Sequence, residues 1–367
     1  MTTSAQHSDT AAFDAARMRA FEEKLVDILN AGALNLMLSV GHRTGLFDAM
    51  AGMAPATSAE IAKKAGLQER YVREWLGAMT VSRIVDHDGE AGTYALPPEH
   101  AALITRGAPN GNLAVFTQYI PLLGTVEDDI VRCFREGGGV PYERYSRFHE
   151  VMAEDSGQTV VPALIEQILP LIPGLIGRLE EGIRVLDLGC GRGKALNLMA
   201  RRFPNSRFVG YDLSEDAIAF ARQEAVEHRS QNVEFVARDL SDFDETAEPA
   251  AFDFVTTFDA VHDQARPLAV LRGIHRTLAP DGVYLAQDIK GSSHHHGDLD
   301  HPLGPLLYTI SCMHCMTVSL ADGGMGLGAM WGEQKAQEML TDAGFTSIET
   351  AHVDGNIVNT YFIATKD

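Results

Sequence analysis

A glycine-rich turn stands between two acidic residues whose spacing could hold a nucleoside. The run Val185-Leu186-Asp187-Leu188-Gly189-Cys190-Gly191-Arg192-Gly193 starts as an apolar strand and leads into a helix. Glycines let a backbone adopt positive φ and approach a ligand closely. The next strand ends in Gly210-Tyr211-Asp212, where a carboxylate can accept hydrogen bonds from two ribose hydroxyls. The pattern therefore predicts a binding site for a nucleoside-containing cofactor.

Two cofactors fit this turn, a nicotinamide dinucleotide and S-adenosylmethionine. The dinucleotide fingerprint is G-x-G-x-x-G, but here the third glycine comes one position early and Lys194 stands in its place. A pyrophosphate gains nothing from the nearby carboxylate of Asp187, whereas an ammonium and a sulfonium group do. The residues therefore favour S-adenosylmethionine over a nicotinamide dinucleotide.

Five segments in order resemble the core of class I S-adenosylmethionine-dependent methyltransferases, over residues 183–290. They are Asp187–Gly193, Asp212, Arg238-Asp239-Leu240, Phe252–Asp259 and Leu278–Gly282. The resemblance implies a doubly wound Rossmann-like sheet of seven strands, the last one antiparallel. It also implies a set of cofactor-binding residues: Asp187, Gly189, Gly191, Gly193, Asp212, Leu213, Asp239, Leu240, Phe258 and Asp259.

The end of the fourth strand carries the first candidate for catalysis, His262, followed at once by Asp263. A long insertion at residues 289–332 supplies His314. Two histidines and one carboxylate can form a facial triad with open coordination positions. These three residues resemble the ligands of metal-dependent α-keto acid C-methyltransferases, which implies a divalent or ferric transition metal. The open alternative is a metal-free O-, N- or S-methyltransferase of an apolar small molecule, with His262 as base or orienting group.

An aromatic segment precedes the predicted core and adds two further catalytic candidates, Tyr145 and His149. With Tyr142 they could reach the sulfonium or the acceptor, because aromatic faces attract positive charge. A helical packing stripe would show the same pattern, so both interpretations stay open.

Short apolar strands alternating with helices from Ile183 onward predict the α/β sheet. Ahead of them, helices within 57–83 and a hairpin near 84–96 resemble a winged helix. We therefore predict a disordered tail at 1–20, a winged-helix-like dimerisation domain at 21–105, a helical linker and roof at 106–180, and a methyltransferase domain at 181–367.

The composition limits the partners. The chain has 367 residues, 45% of them hydrophobic, and a net charge of −20 from 30 basic and 50 acidic residues. An acidic protein is a poor phosphate binder, so we expect no nucleic acid partner. The resemblance of the N-terminal region to that of small-molecule methyltransferases implies a small-molecule acceptor and a homodimer. A DNA-binding regulator that senses S-adenosylmethionine remains the alternative of a different class. Four cysteines, no secretory signal and no membrane span predict a cytoplasmic protein.

Overall fold

The computed structural model describes residues 13–108 and 111–366. The chain divides into two compact units, 1–120 and 121–367, so the division falls inside the segment predicted as linker and roof. Its later part belongs to the second unit because Val160, Leu164 and Ile168 pack into that unit's core. Residues 1–12 of the predicted tail lie outside the described residues. Residues 15–20 are helical rather than a tail, because the Asp14 side chain caps the first helix.

The first unit is mostly helical and contains one hairpin. Its elements are α1 (Ala15–Thr44), α2 (Leu46–Met50), α3 (Ser58–Ala65), α4 (Glu69–Val81), β1 (Asp86–Asp88), β2 (Thr93–Ala95) and α5 (Pro98–Ile104), and α6 (Tyr119–Gly124) begins at the boundary. A capping box between Thr57 and Glu60 starts α3. Trp75 and Leu76 of α4 lie in the core of this unit. The two helices and the hairpin occur where the sequence predicts them.

Helix α1 leaves many large apolar side chains exposed. Among the described residues it is the one unbroken helix long and apolar enough to cross a membrane, judged by length and composition alone. A bent pair, Phe148–Leu171 with Leu175–Glu181, meets the same criterion only when its arms are counted together. In α1 the exposed fraction reaches 72% at Leu29.

The second unit contains a seven-stranded sheet in the order β5-β4-β3-β6-β7-β9-β8. Its strands are β3 (Arg184–Leu188), β4 (Arg207–Asp212), β5 (Val233–Ala237), β6 (Phe252–Phe258), β7 (Leu278–Ile289), β8 (Ser347–Ala351) and β9 (Asn359–Thr365). β9 is antiparallel to β7 and β8, and the other neighbouring pairs are parallel. The predicted fold class is confirmed.

Helices cover both faces of this sheet. They are α7 (Glu127–Glu136), α8 (Phe148–Gln158), α9 (Val160–Ala163), α10 (Leu175–Glu181), α11 (Lys194–Arg202), α12 (Glu215–Glu227), α13 (Phe243–Thr246), α14 (Pro267–Thr277), α15 (Gly304–Ile310), α16 (Met316–Ala321) and α17 (Glu333–Asp342). Successive strand residues point to opposite faces, so Val185 packs in one core and Leu186 in the other. Both faces are therefore buried, as parallel sheets require.

The strand order reverses between β3 and β6. β4 and β5 follow β3 on one side, while β6 and β7 extend the other side. Ligands of open α/β sheets bind in the crevice at the carboxyl ends of the strands where such a reversal occurs. This crevice lies between the turn after β3 and the loop after β6.

The insertion after β7 is helical and is fixed to the roof segment and to the loop after β6. A π-helical turn, Ser311–Cys315, joins α15 to α16. The Val140 amide donates to Thr317 at 2.9 Å, and Ser319 Oγ donates to the Gln264 carbonyl at 2.8 Å. These bonds hold the turn that carries His314 over the carboxyl edge of the sheet.

Candidate active site

The turn after β3 is shaped by glycines at positive φ. A Cβ on Gly189 (φ +69°) would lie 2.4 Å from the Ala260 side chain, and one on Gly193 (φ +68°) would lie 2.6 Å from Phe235. Gly191 (φ +52°) would meet nothing within 4 Å. The first and third glycines therefore allow close packing, while the middle one presents bare backbone to open space. A cradle of this form fits a nucleoside cofactor.

Asp212 stands beside this turn with room to bind further donors. Its Oδ2 accepts from the Gly191 amide at 2.8 Å, and its Oδ1 accepts from the Ser214 amide at 2.9 Å. Each carboxylate oxygen has a second lone pair, so two ribose hydroxyls can still donate to it. Leu213 next to it is 64% exposed, which is available surface for an adenine or ribose.

Asp187 is buried below the turn. Thr256 Oγ1 donates to its Oδ1 at 2.8 Å, and burial raises the pKa of the carboxyl to about 7, with a further rise from Asp212. A cationic ligand above this carboxylate favours its ionised form. The position therefore suits a cofactor that carries an ammonium and a sulfonium.

The remaining predicted cofactor residues occupy different environments. Asp239 is exposed and accepts from the Ser241 amide at 2.8 Å. Leu240 is buried in the core, so its side chain packs within the protein, and Phe258 packs against the opposite core. Asp259 uses both carboxylate oxygens within the protein, on Gln287 and Asn359. Cofactor contacts at these four positions stay predictions.

His262 forms a buried pair with a residue that the sequence analysis missed, Asp288. His262 Nδ1 lies 2.7 Å from Asp288 Oδ1, and the two residues are 3% and 2% exposed. Burial opposes charge on the imidazole, but Asp288 and Cys315 together raise the pKa of His262 well above its usual value. The carboxylate accepts a hydrogen bond from Nδ1–H. Because Nδ1 faces Asp288, Nε2 is the nitrogen that faces the hydrogen-bonding side chain of Cys315, and it is also the atom that could take a proton from a substrate.

His314 is enclosed by aromatic rings. It stacks on Phe148 with ring centroids 3.5 Å apart and planes 5° apart, and Tyr142 and Tyr145 approach it edge-on. Burial lowers the pKa of His314 far below its usual value, and charge on His262 and His149 lowers it further. Among the described residues neither ring nitrogen has a hydrogen-bond partner, so a water molecule, an ion or a ligand group would satisfy them.

The two roof candidates differ in their availability. The Tyr145 hydroxyl donates to the Met313 carbonyl, so it holds the insertion instead of facing a ligand. His149 stacks on Tyr142, with centroids 5.0 Å apart. Burial lowers the pKa of His149, while Asp212 opposes that change. The side chain of His149 therefore lies close enough to Asp212 for its pKa to be affected by that charge.

The predicted metal set is present only in part. Burial raises the pKa of Asp263 to about 6, and His262 opposes the rise, so the two side chains interact. Within 13–108 and 111–366, no group of three or more His, Cys, Asp or Glu side chains is placed to hold a metal ion. The donor types fit a transition metal, but the structure does not gather them, and the metal stays a prediction.

The residues missed by the sequence analysis share one signal. Thr256, Gln287, Asp288 and Asn359 all lie at or near the ends of central strands, at the same edge as the glycine-rich turn. A search for polar residues at the carboxyl ends of neighbouring parallel strands would have found Asp288. Asn359 begins the antiparallel strand, so only the strand order brings it there.

Comparison with known proteins agrees with this geometry. Residues 179–344 match the family described as "Methyltransferase domain", and residues 32–106 match the "Rv2258c-like winged HTH domain". Fold, turn and family matches together define a class I S-adenosylmethionine-dependent methyltransferase domain preceded by a winged helix-turn-helix domain.

Relatives with assigned activities are similar over part of their length. A ubiquinone biosynthesis O-methyltransferase of Neisseria meningitidis is 36% identical over 103 residues, 28% of this chain and 42% of the relative. A fatty-acid O-methyltransferase of Mycolicibacterium smegmatis is 34% identical over 110 residues, 30% of this chain and 38% of the relative. The chain thus spans about two fifths of the curated relatives it matches.

Solved structures share the fold over nearly the whole chain. Human N-acetylserotonin methyltransferase in complex with S-adenosylmethionine has a TM-score of 0.70 at 17% identity, over 97% of this chain and 99% of that one. The mitomycin 7-O-methyltransferase has a TM-score of 0.70 at 18% identity, over 96% and 100%. At this identity the likeness establishes the fold.

Proposed function

We propose that this protein transfers a methyl group from S-adenosylmethionine to a small molecule, and that an oxygen is the methylated atom. The observation that carries the proposal is the buried His262–Asp288 pair, with Nδ1 2.7 Å from the carboxylate, at the sheet edge that also holds the glycine-rich turn. Two of the relatives are named O-methyltransferases, which supports oxygen as the acceptor atom.

Some residues of the chain bind the cofactor, and His262 transfers the proton. S-adenosylmethionine supplies, when bound, an electrophilic methyl group on a sulfonium. Asp212 holds the ribose and Asp187 faces the cationic end of the cofactor. Holding two reactants in line is worth about 7–11 kcal/mol of the barrier. His262 Nε2 accepts the acceptor's hydroxyl proton, and such a base contributes about 10²–10⁴-fold.

Asp288 makes His262 a stronger base than a free imidazole. Its carboxylate accepts a hydrogen bond from Nδ1–H and so favours the tautomer in which Nε2 is the acceptor. Because Asp288 and Cys315 raise the pKa of His262 despite its burial, the neutral form that can accept a proton accumulates at alkaline pH. The reaction is therefore expected to accelerate as pH rises through that pKa.

The aromatic enclosure suggests a planar, largely apolar acceptor. Tyr142, Phe148 and His314 pack together as one aromatic cluster, and His314 lies close enough to His262 to be affected by its charge. Aromatic walls favour offset stacking and edge contacts with a flat ligand. The unpartnered nitrogens of His314 supply the polar contact that a small ligand site needs for orientation.

A second candidate function is metal-supported C-methylation of an α-keto acid. One observation favours it, the two buried and unpartnered nitrogens of His314. For this function His262, Asp263 and His314 would have to come together around the metal, because the described residues do not gather them, and the carboxylate of Asp288 on His262 Nδ1 would be the outer partner that metal-bound histidines usually have. A metal would supply Lewis acidity toward a chelating keto acid.

One experiment separates the two functions. The protein is purified without a histidine tag, analysed for transition metals, and assayed for S-adenosylhomocysteine formation against phenols and α-keto acids, with and without chelator. Activity on a phenol that survives chelation, and that His262→Gln abolishes, supports the first function. Stoichiometric metal that His314→Gln removes, with turnover of keto acids alone, overturns it. His228→Gln on the exposed end of α12 is the matched control.

We also propose that α1 pairs with a second copy of the chain. A helix of 30 residues is about 45 Å long, and it exposes apolar side chains along that length, such as Val26, Ile28 and Leu29. The same helix carries basic residues, Arg19 and Lys24, and acidic residues, Glu22, Glu23 and Asp27, so a second copy offers both signs of charge for pairing.

Sedimentation equilibrium tests the pairing. The full chain is expected to be a dimer, and Leu29→Glu, which places a charge in the paired surface, is expected to give monomers; Val226→Glu, at an exposed apolar position of α12, is the control. A monomeric wild type, or one that binds lipid vesicles through α1, would contradict pairing with a second copy.

An electrophoretic shift of genomic DNA at physiological salt would support the alternative of a DNA-binding regulator that senses S-adenosylmethionine, in place of the enzyme.

A further inference from the structure

Asp259 occupies an unusual backbone position at the active-site edge. It directly follows β6 and precedes His262 by three positions. Its φ is +52°, in the left-handed region that costs an ordinary side chain energy and that Asp and Asn tolerate best. Backbone strain of this kind persists only where surrounding contacts hold it, and it concentrates at functional sites.

Three central strands meet at the Asp259 side chain. Its Oδ2 accepts from Gln287 Nε2 of β7 at 2.7 Å, and its Oδ1 accepts from Asn359 Nδ2 of β9 at 2.9 Å. The Asp259 amide donates to the Gln287 carbonyl at 3.0 Å, so Gln287 is bound through both backbone and side chain. We call Asp259, Gln287 and Asn359 the strand-end clasp.

The clasp fixes both halves of the proposed base. On one side, the chain runs directly from Asp259 to His262. On the other side, Gln287 is followed by Asp288, whose Oδ1 receives His262 Nδ1 at 2.7 Å. Asn356 supports the far end, because its Nδ2 donates to Asn359 Oδ1 at 3.3 Å. A shift in the clasp would therefore move the imidazole and its carboxylate relative to each other.

We propose that Asp259 is a positioning residue that holds His262 and Asp288 in register, and that this role, and not a cofactor contact, is its contribution. Its two oxygens accept from side-chain amides on two other strands, as expected for a residue that acts through its neighbours. The inference rests on the proposed role of His262 as base and adds the residue that sets its geometry. Burial and the charge of Asp288 raise the pKa of Asp259 to about 7, while His262 opposes the rise.

A charge swap tests the clasp without knowledge of the acceptor. Asp259→Asn keeps the shape and tolerates positive φ, but its new amide group faces the amide of Asn359. Adding Asn359→Asp restores complementarity, since the amide can then donate to a carboxylate while its oxygen still accepts from Gln287. The readouts are the titration of the His262 ring by NMR of carbon-13-labelled histidine, assigned with His262→Gln, and S-adenosylmethionine affinity by calorimetry.

The single variant is expected to lower the His262 titration midpoint by about one pH unit, with cofactor affinity changed less than about threefold, under about 0.7 kcal/mol. The double variant is expected to return the midpoint toward wild type. Asn359→Ala removes one hydrogen-bond donor to Asp259 and should shift the His262 midpoint by a smaller amount. This variant replaces Asp259→Asn in the test if thermal melting shows that Asp259→Asn folds poorly. Cofactor affinity weakened about tenfold or more with an unmoved His262, or a double variant that restores nothing, would overturn the proposal. Neither readout needs methyl transfer, so these results stand apart from any failure of the proposed function.

Discussion

Replacing Asp288 by asparagine is the most direct perturbation of the proposed base. The substitution keeps the shape of the side chain but removes the charge that His262 Nδ1 faces at 2.7 Å. A hydrogen bond to a charged group is worth about 1.5–3 kcal/mol, and one pH unit corresponds to about 1.4 kcal/mol. The His262 midpoint is therefore expected to fall by about one to two units.

The same change in the pKa of His262 predicts the direction in which the pH dependence of the rate moves. In the wild type the carboxylate of Asp288 raises the pKa of His262 against the effect of burial, and the rate is expected to climb as pH increases through that raised pKa. In Asp288→Asn, burial is no longer opposed by a carboxylate, so the climb begins at lower pH. The alkaline plateau is expected to fall about 10²–10⁴-fold, because the base is weaker and its tautomer is no longer fixed.

The assay is the initial rate of S-adenosylhomocysteine formation with an acceptor that the wild type methylates, from about pH 5 to about pH 10. Asp298→Asn is a matched control, because Asp298 is also a buried carboxylate, held by Tyr308 and the Ser292 amide within the insertion. A profile whose midpoint does not move, together with a plateau within about twofold of wild type, would refute the role of Asp288 and weaken that of His262.

Three further outcomes test the cofactor site. Asp212→Ala is expected to weaken S-adenosylmethionine binding about 10- to 100-fold in calorimetry, and unchanged affinity would exclude it as the ribose acid. Gly189→Ala places a Cβ 2.4 Å from Ala260 at φ +69°. Urea unfolding should show that this substitution lowers the free energy of unfolding by about 2–4 kcal/mol. Gly191→Ala, whose Cβ meets nothing, should lower it by about 1 kcal/mol. Because the pKa of Asp187 is about 7, the affinity for the cationic cofactor should decrease as pH falls below that value and level off above it; a flat profile between about pH 5 and 8 would contradict the pairing.

Much of the second unit follows from local pattern. The strands β3, β5 and β6 fall within the predicted alternation of strands and helices because each is a short apolar run bordered by glycine, polar or turn residues. β7 runs from Leu278 to Ile289, since pairing with both β6 and β9 extends a strand beyond its own apolar stretch. That extension places Asp288 inside the strand and directs its carboxylate to His262.

The division between the two units was less accessible to pattern analysis. The segment at 106–180 looks like a separate run of helices, and nothing local shows which core its apolar side chains enter. The structure assigns Val160, Leu164 and Ile168 to the core of the large sheet. The carboxyl-side shift of the boundary to residue 120 is thus a consequence of long-range packing.

The sequence by itself determined the cofactor class, because a glycine-rich turn and an acid one strand later are local features whose chemistry can be read in order along the chain. It also determined that His262 stands at the end of the fourth strand. Only the tertiary structure decided that His262 pairs with Asp288 and that Gln287 and Asn359 donate hydrogen bonds to the Asp259 carboxylate. It also decided that the ring nitrogens of His314 lack hydrogen-bond partners among the described residues. These depend on side chains far apart in sequence meeting where parallel and antiparallel strands end at one edge, and strand order is a property of the packed sheet as a whole.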